Sequence, residues 1–467
     1  MTTFFVFIKF GSIHENESYK KGAAHFIEHM CFKGTKRNPT PLDIMTTYDD
    51  KGAYFNAETH RQYTCYKVKC MDHFIEPCLK TLADIILRSI LKKKEMDLER
   101  HVVLEENIRS DDNPLSHIEN AIYKALYTGT PYSDPIDTLE YHKSSHSLEH
   151  KDMVQLYREY YRPDNMGISV VSNLPFASIK HLLEQSTFMT RSKTHSHTLC
   201  LGSTPKNNPD IQFTPLNIYI GTPLAKQSVP LKIRVQPLPI NELNGMPPLG
   251  ACPISNLHRY KIINKKGVQA THISISFRTC PHDHADIYPL LLLKNIIGGY
   301  MSSRLFMLLR EKHGLTYSST CNSTHHATSG HFEIYTLCDP SKTLKNKSKP
   351  GVLPLIIQLL NDLLQHGITQ KELTSTKGFF QGQMTLSMEQ GQTKSTYNGI
   401  EYILYDKTDI VPYERVFKTH VEYLTKDIID QVIRRYFHPE NMFVCLVGEH
   451  IPNLDTVQRY CQHFSSA

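Results

Sequence analysis

The chain has 467 residues, 40% hydrophobic and 21% charged, and its formal net charge of +6 is too small to indicate a nucleic-acid-binding protein. The length predicts two or three domains, no apolar run reaches the ~18 residues of a membrane span, and the apolar start, Met1 to Phe10, lacks the features of a signal or transit peptide. The eleven cysteines form no C-x-x-C pair, which predicts free thiols in a reducing, intracellular compartment.

The first predicted element is a buried strand, because the run TFFVFIKF at residues 3–10 is β-branched and aromatic. A helix is expected over residues 22–30. Apolar spacing then predicts a helix at 42–50, one or two strands at 54–69, and helices at 74–89 and 93–109.

The helix at residues 22–30 carries the sequence GAAHFIEHM. His25 and His29 are four positions apart and share one helix face, with Glu28 beside them. Two imidazoles one turn apart suit a tetrahedral zinc ion, and a neighbouring carboxylate can take a proton from water. The H-x-x-E-H order is that of the inverzincins. The alternative is a surface helix with two chance histidines, but the apolar residues of the motif favour a buried helix, where unpaired polar groups are costly.

A zinc site with two histidines needs a third protein ligand, usually a carboxylate in hydrolases. The helix predicted at 93–109 offers Glu99, Glu105 and Glu106. Glu99 and Glu106 are two turns apart on one face, whereas Glu105 points about 100° away from Glu106. Helical periodicity alone does not choose between Glu105 and Glu106.

A resemblance to a known family covers this region. The blocks GAAHFIEHMCFKGTKR, GAYFNAETHRQYTCY, LADIILRSIL and ERHVVLEENIRSDDNP occur in this order, as in the first domain of the pitrilysin family of zinc metallopeptidases, which includes insulin-degrading enzyme and mitochondrial processing peptidase. The resemblance implies one Zn²⁺ per chain, held by His25, His29 and Glu106, with Glu28 as the general base. It also implies that Glu99 orients the ligands.

The same resemblance assigns a substrate-binding role to Asn56 and Ala57. They match the edge strand of the family to which substrate peptide adds through main-chain hydrogen bonds. A plain strand in a sheet is the structural alternative, and the two are compatible.

An internal repeat predicts the domain organisation. The segments YYRPDNM at residues 160–166 and YFHPENM at 436–442 each follow a predicted helix and precede a predicted strand. We therefore expect two homologous α+β domains, each a mostly antiparallel sheet packed with helices. The predicted boundaries are 1–185 for the catalytic zinc-binding domain, 186–257 for a linker or insertion and 258–467 for a second domain that binds no metal.

The second half contains the run MSSRLFMLLREKHGLTY at residues 301–317, which resembles the second-domain signature of the family. The resemblance implies that Arg310 and Tyr317 reach the zinc site and stabilise the oxyanion of the tetrahedral intermediate.

The chain departs from the family at its start. Relatives carry two short strands before the one that begins here near Thr3. Three explanations stay open: the start is mis-assigned, the first sheet lacks an edge, or another segment fills that edge. The linker at 186–257 is rich in Pro, Ser, Thr and Asn, with a short strand expected at 218–220.

These observations predict a zinc metalloendopeptidase that hydrolyses unfolded peptides or protein segments. The resemblance also implies a second pair of domains, supplied by a homodimer or a related partner subunit. The alternative is a non-catalytic structural or presequence-binding subunit of a processing-peptidase-like complex. The complete set of ligand residues favours the enzyme.

Overall fold

The computed structural model describes residues 1–15, 21–138, 148–188, 217–221, 259–346, 348–387, 389–405, 407 and 410–465. It divides into two compact units, each built from three stretches of chain. The first unit comprises Met1–Ile108, Pro135–Glu242 and Thr385–Glu414, and the second comprises Arg109–Asp134, Leu243–Met384 and Arg415–Ala467. Most of residues 186–257 lie outside the described part, so the boundaries at 185 and 258 stay a prediction.

The described residues form twelve strands. These are β1 (Thr2–Ile8), β2 (Tyr54–Thr59), β3 (Thr64–Cys70), β4 (Met166–Val171), β5 (Asn217–Gly221), β6 (Tyr260–Asn264), β7 (Thr271–Thr279), β8 (Ser319–His325), β9 (Gly330–Cys338), β10 (Lys345–Asn346), β11 (Lys349–Pro350) and β12 (Met442–Gly448).

Thirteen α-helices occur in the same part of the chain. These are α1 (Ala23–Cys31), α2 (Pro41–Asp49), α3 (Ile75–Leu87), α4 (Lys93–Asp112), α5 (Pro114–Leu126), α6 (His150–Tyr160), α7 (Phe176–Glu184), α8 (Ile287–Gly298), α9 (Val352–His366), α10 (Gln370–Ser387), α11 (Gly391–Gly399), α12 (Lys426–Tyr436) and α13 (Leu454–Cys461). Among the described residues, no helix combines the length and apolar character that a membrane crossing needs.

Each unit is organised around a five-stranded sheet. The strand order is β2-β3-β1-β4-β5 in the first unit and β8-β9-β7-β12-β6 in the second. Neighbouring strands are antiparallel except at one edge, where β5 runs parallel to β4 and β6 runs parallel to β12. The predicted α+β class with mostly antiparallel sheets is therefore confirmed. The two sheets share one spatial arrangement of strands and strand directions, but the parallel edge strand follows the other four along the chain in the first sheet (β5) and precedes them in the second (β6).

The repeated Pro-x-Asn segment has the same structural role in both units. The side-chain amide of Asn165 donates to the carbonyl of Tyr160 at the end of α6 (3.0 Å), and that of Asn441 donates to the carbonyl of Tyr436 at the end of α12 (2.7 Å). Asn441 also donates to the backbone oxygen of Arg278 in β7 (2.8 Å). The Asn side chain satisfies a carbonyl left without a partner at a helix end, so both copies of the repeat use this residue before the strand that follows, β4 or β12.

β5 forms the second edge of the first sheet, where it pairs with β4. β5 occupies the place in the first sheet that β6 occupies in the second, and it comes from the predicted linker.

β1 is buried on both faces of the first sheet. Its alternate residues from Phe4 onward enter the core that contains α1 and α3. Phe5 and Phe7 enter a second core with Tyr402 and Ile403, which follow α11. This two-sided burial explains why β1 is a continuous apolar run and not an alternating one.

The packing of α11 on β1 can be tested at Gly399, where an added Cβ would lie 2.1 Å from the ring of Phe7. Gly399→Ala is expected to lower the free energy of unfolding by about 1–3 kcal/mol through overpacking. Gly382→Ala in α10, where an added Cβ meets no atom within 4 Å, should raise it by up to about 1 kcal/mol through helix propensity. Thermal denaturation of both variants measures the difference, and equal melting temperatures would contradict this packing.

Candidate metal centre

The motif helix α1 is held firmly at its N-terminus. The carboxylate of Glu15 accepts hydrogen bonds from the backbone N–H groups of Gly22 (2.8 Å) and Ala24 (2.7 Å). These hydrogen bonds satisfy two backbone N–H groups at the start of the helix, and burial raises the pKa of Glu15 to about 8. Phe26 and Ile27 are fully buried, so α1 is the buried helix that the sequence predicts.

The two motif histidines lie together on the face of α1 that points away from the buried side chain of Ile27. The Nε2 atoms of His25 and His29 lie 3.2 Å apart, and the ring planes make an angle of 83°. Oε2 of Glu106, from α4, lies 3.3 Å from Nε2 of His29 and 3.9 Å from Nε2 of His25. These three residues form the one cluster of three or more His, Cys, Asp or Glu found in the described ranges with all ligand atoms within 4.8 Å of one another.

The spacing of this cluster suits zinc. Zinc bonds of about 2.0–2.2 Å in tetrahedral geometry place ligand atoms roughly 3.3–3.6 Å apart, and two of the three distances lie within about 0.2 Å of that range. Two nitrogens and one carboxylate oxygen also leave a fourth position open. The structure brings Glu106 to this point, whereas Glu105, on the same helix, lies outside the cluster.

Each histidine is hydrogen-bonded through its second nitrogen to a carboxylate. Glu99 lies 2.8 Å from Nδ1 of His29, as expected for a residue that orients a ligand, and is itself paired with the ammonium of Lys33. Asp137 lies 2.9 Å from Nδ1 of His25. The sequence analysis missed Lys33 and Asp137: Lys33 is four positions after His29, which is a usable signal, but Asp137 follows Glu106 by 31 positions with no pattern linking them.

The charges around His29 favour its protonated form in the absence of metal. Burial acts to lower the pKa of His29, but the hydrogen bonds to Glu106 and Glu99 outweigh it and raise the pKa to about 9. The hydrogen bond from His29 likewise lowers the pKa of Glu106.

Zinc binding should therefore release a proton at neutral pH. Zinc binds the unprotonated imidazole, and His29 is protonated below a pKa of about 9, so the apparent zinc affinity should rise by about tenfold per pH unit up to that value. Calorimetric titration at pH 7 in two buffers of different ionisation enthalpy should show release of about one proton per zinc. An affinity that does not change between pH 6 and pH 8 would contradict this protonation state.

Glu28 is buried beside the cluster and is hydrogen-bonded to the first sheet. The hydroxyl of Thr59, the last residue of β2, donates to Oε2 of Glu28 (2.6 Å). Burial raises the pKa of Glu28, against the opposing effects of this hydrogen bond and of His25 and His29. A raised pKa suits a group that takes up a proton and later gives it away. Thr59 is a further residue that sequence reasoning did not single out.

Asn56 and Ala57 lie on β2, which pairs with β3 and forms one edge of the first sheet. Asn56 is exposed and donates to the hydroxyl of Tyr54 (3.3 Å). The edge therefore runs from these residues to Thr59, and so to Glu28.

Arg310 and Tyr317 lie together in the second unit. The guanidinium carbon of Arg310 lies 4.9 Å from the ring centroid of Phe306 and 5.0 Å from that of Tyr317, and the guanidinium donates to the backbone oxygen of Tyr317 (3.4 Å). Tyr317 is 81% exposed. The two side chains are thus held next to each other, and their role toward the metal centre stays a prediction.

Comparison with known proteins identifies the family to which the chain is similar. Residues 2–138 match the family described as insulinase (peptidase family M16), and residues 147–378 match the family described as peptidase M16 inactive domain. The uncharacterized zinc protease YmxG of Bacillus subtilis is 28% identical over 403 residues, which cover 86% of this chain and 83% of the relative.

Solved structures share the fold. A protease from Helicobacter pylori superposes with a TM-score of 0.75 at 19% identity, covering 96% of this chain and 93% of that one. A chain from complex III2 of Candida albicans superposes with a TM-score of 0.70 at 12% identity, covering 99% and 94%. These structural likenesses show a common fold, and at 19% and 12% identity they say nothing about function. The matches of residues 2–138 and 147–378 to these two family descriptions show that this chain belongs to the insulinase family, peptidase family M16.

Proposed function

We propose that the chain is a zinc-dependent metalloendopeptidase that hydrolyses peptide bonds of unfolded peptides or protein segments. The observation that carries the proposal is the assembled cluster of His25, His29 and Glu106 with Glu28 buried beside it. All four residues lie within the 2–138 match to the peptidase family, and relatives named zinc proteases support the same reading.

The chemistry follows from the residue types. His25, His29 and Glu106 would hold the zinc ion, which would supply a Lewis acid at this site. Glu28 takes the proton of the attacking water and later passes it to the leaving amine. Thr59 holds one carboxylate oxygen of Glu28, which leaves the other oxygen for the proton.

Substrate binding is assigned to the edge strand β2. An extended peptide adds to a free sheet edge through main-chain hydrogen bonds, and Asn56 and Ala57 lie on that edge. Such binding needs an unfolded segment, because a folded protein does not offer a free strand. Arg310 and Tyr317 supply a cation and a phenol for the negative charge that develops on the carbonyl oxygen.

We further propose that the enzyme works in a reducing, intracellular compartment, as a homodimer or with a related partner subunit. The nine cysteines of the described ranges are all free and buried. The family resemblance supports the second subunit.

The rival function is a structural or presequence-binding subunit without activity. The likeness to a complex III chain carries the fold alone and does not favour this rival. The complete set of metal-binding residues opposes it, because an inactive subunit has no need of a buried base beside a metal site.

The experiment is zinc analysis of the purified full chain together with cleavage of an unfolded peptide. About one zinc per chain and cleavage that is abolished by a chelator and restored by zinc are expected. Protein that binds zinc and peptide but cleaves no unfolded peptide would favour the non-catalytic subunit.

A further inference from the structure

We propose that Asp137 is the positioning residue for His25: its carboxylate holds the His25 imidazole in the tautomer that presents Nε2 to the metal. The inference deepens the proposed function and rests on the metal site contained in it. The sequence predicts an orienting role for Glu99 behind one of the ligands and none for Asp137.

The Asp137 side chain is buried, and both of its carboxylate oxygens have hydrogen-bond partners. Its side chain is only 6% exposed, and Oδ2 lies 2.9 Å from Nδ1 of His25. The other oxygen, Oδ1, accepts a hydrogen bond from the backbone N–H of Thr138 (2.7 Å). The backbone thus fixes the orientation of the carboxylate, with Oδ2 turned toward the imidazole.

This contact determines which nitrogen of His25 carries the proton. An ionised carboxylate only accepts hydrogen bonds, so Nδ1 must donate to it. The lone pair of a neutral imidazole then lies on Nε2, the atom that faces Nε2 of His29 and Oε2 of Glu106. A carboxylate behind a metal-binding histidine fixes both its tautomer and its ring orientation.

The arrangement matches that of the second histidine. Glu99 lies behind Nδ1 of His29 at 2.8 Å, and Asp137 lies behind Nδ1 of His25 at 2.9 Å. The Glu99 carboxylate also forms an ion pair with the ammonium of Lys33. The two carboxylates come from separate parts of the chain and converge on the two rings of one helix, which a purely local structural role would not require.

Asp137→Asn tests the inference because an amide has one acceptor oxygen and one donor NH₂ group, so it cannot accept hydrogen bonds from both Thr138 and His25. If the Asn oxygen accepts from Thr138, its NH₂ group faces Nδ1 of His25 and moves the imidazole proton to Nε2, which then cannot bind a metal. The zinc affinity, measured by competition with a chelator, should fall by roughly 10- to 100-fold. Glu99→Gln, which makes the same change behind His29, serves as the matched comparison and should fall by a similar factor.

A second readout needs neither metal nor activity. In the metal-free parent, ¹⁵N imidazole shifts should place the His25 proton on Nδ1, and Asp137→Asn should move it to Nε2. Asp137→Glu should recover part of the zinc affinity, because a carboxylate returns to the site.

The outcomes separate the inference from the function on which it rests. Asp137→Asn with parental zinc affinity and an unchanged His25 tautomer would overturn the inference, even if peptide cleavage is intact. A lower melting temperature with the tautomer and affinity unchanged would also overturn it, since that is a merely structural role. Conversely, a parent that binds zinc without cleaving peptide would overturn the peptidase proposal, while the tautomer shift would still support Asp137.

Discussion

Replacing Glu28 with Gln is expected to lower peptide turnover by roughly 100-fold or more while the zinc content stays at the parental level. The physical reason is that Gln keeps the volume of Glu and can still accept the hydrogen bond from Thr59, but its amide cannot take up a proton. Glu28 is adjacent to the ligand cluster without being part of it, so the metal site should survive the change.

The measurement combines zinc analysis, peptide affinity and cleavage rate for Glu28→Gln and the parent. Glu105→Gln is the matched control, since it makes the same chemical change on the exposed surface of α4. Its cleavage rate should equal that of the parent. Undiminished cleavage by Glu28→Gln would remove Glu28 from the mechanism, and loss of zinc would show that Glu28 contributes to metal binding.

Replacing Glu106 with Gln should abolish stoichiometric zinc binding. Glu106 supplies the charged oxygen that lies 3.3 Å from Nε2 of His29, and a neutral amide oxygen is a much poorer zinc ligand. The loss should exceed the roughly 10- to 100-fold weakening expected when a residue behind a ligand, such as Glu99, is changed.

The control is again Glu105→Gln, one position away on the same helix, which should bind zinc like the parent. The zinc content of each variant is measured after dialysis against a weak chelator. We expect it to be highest in Glu105→Gln, lower in Glu99→Gln and lowest in Glu106→Gln. Loss of zinc from Glu105→Gln with retention by Glu106→Gln would mean that α4 is rotated by one residue from the arrangement described.

The sequence by itself determined the features that depend on neighbours along the chain. The spacing of His25, Glu28 and His29 places them on one helix face because an α-helix has a fixed period, so the core of the site could be predicted locally. The repeated segments at 160–166 and 436–442 likewise predicted paired domains, and both copies form the same helix end before the same central strand.

Tertiary structure alone decided which distant residues complete the site. Periodicity left Glu105 and Glu106 open, and the family resemblance favoured Glu106, but only the packing of α4 against α1 places its carboxylate beside His29. Asp137 and Thr59 reach His25 and Glu28 from 112 and 31 positions away. No periodic pattern connects such residues, since their proximity follows from where the chain turns between elements.

The sequence also did not predict which stretches of chain form each unit. The first unit includes Thr385–Glu414, whose residues cover one face of β1, and the second includes Arg109–Asp134. A fragment ending near residue 185 would leave Phe5 and Phe7 without that cover. The sequence predicted a buried strand at residues 3–10, and only the tertiary structure identified the segments that cover its two faces. The physical reason is that the hydrophobic effect is non-directional, so an apolar strand does not specify which segment buries it.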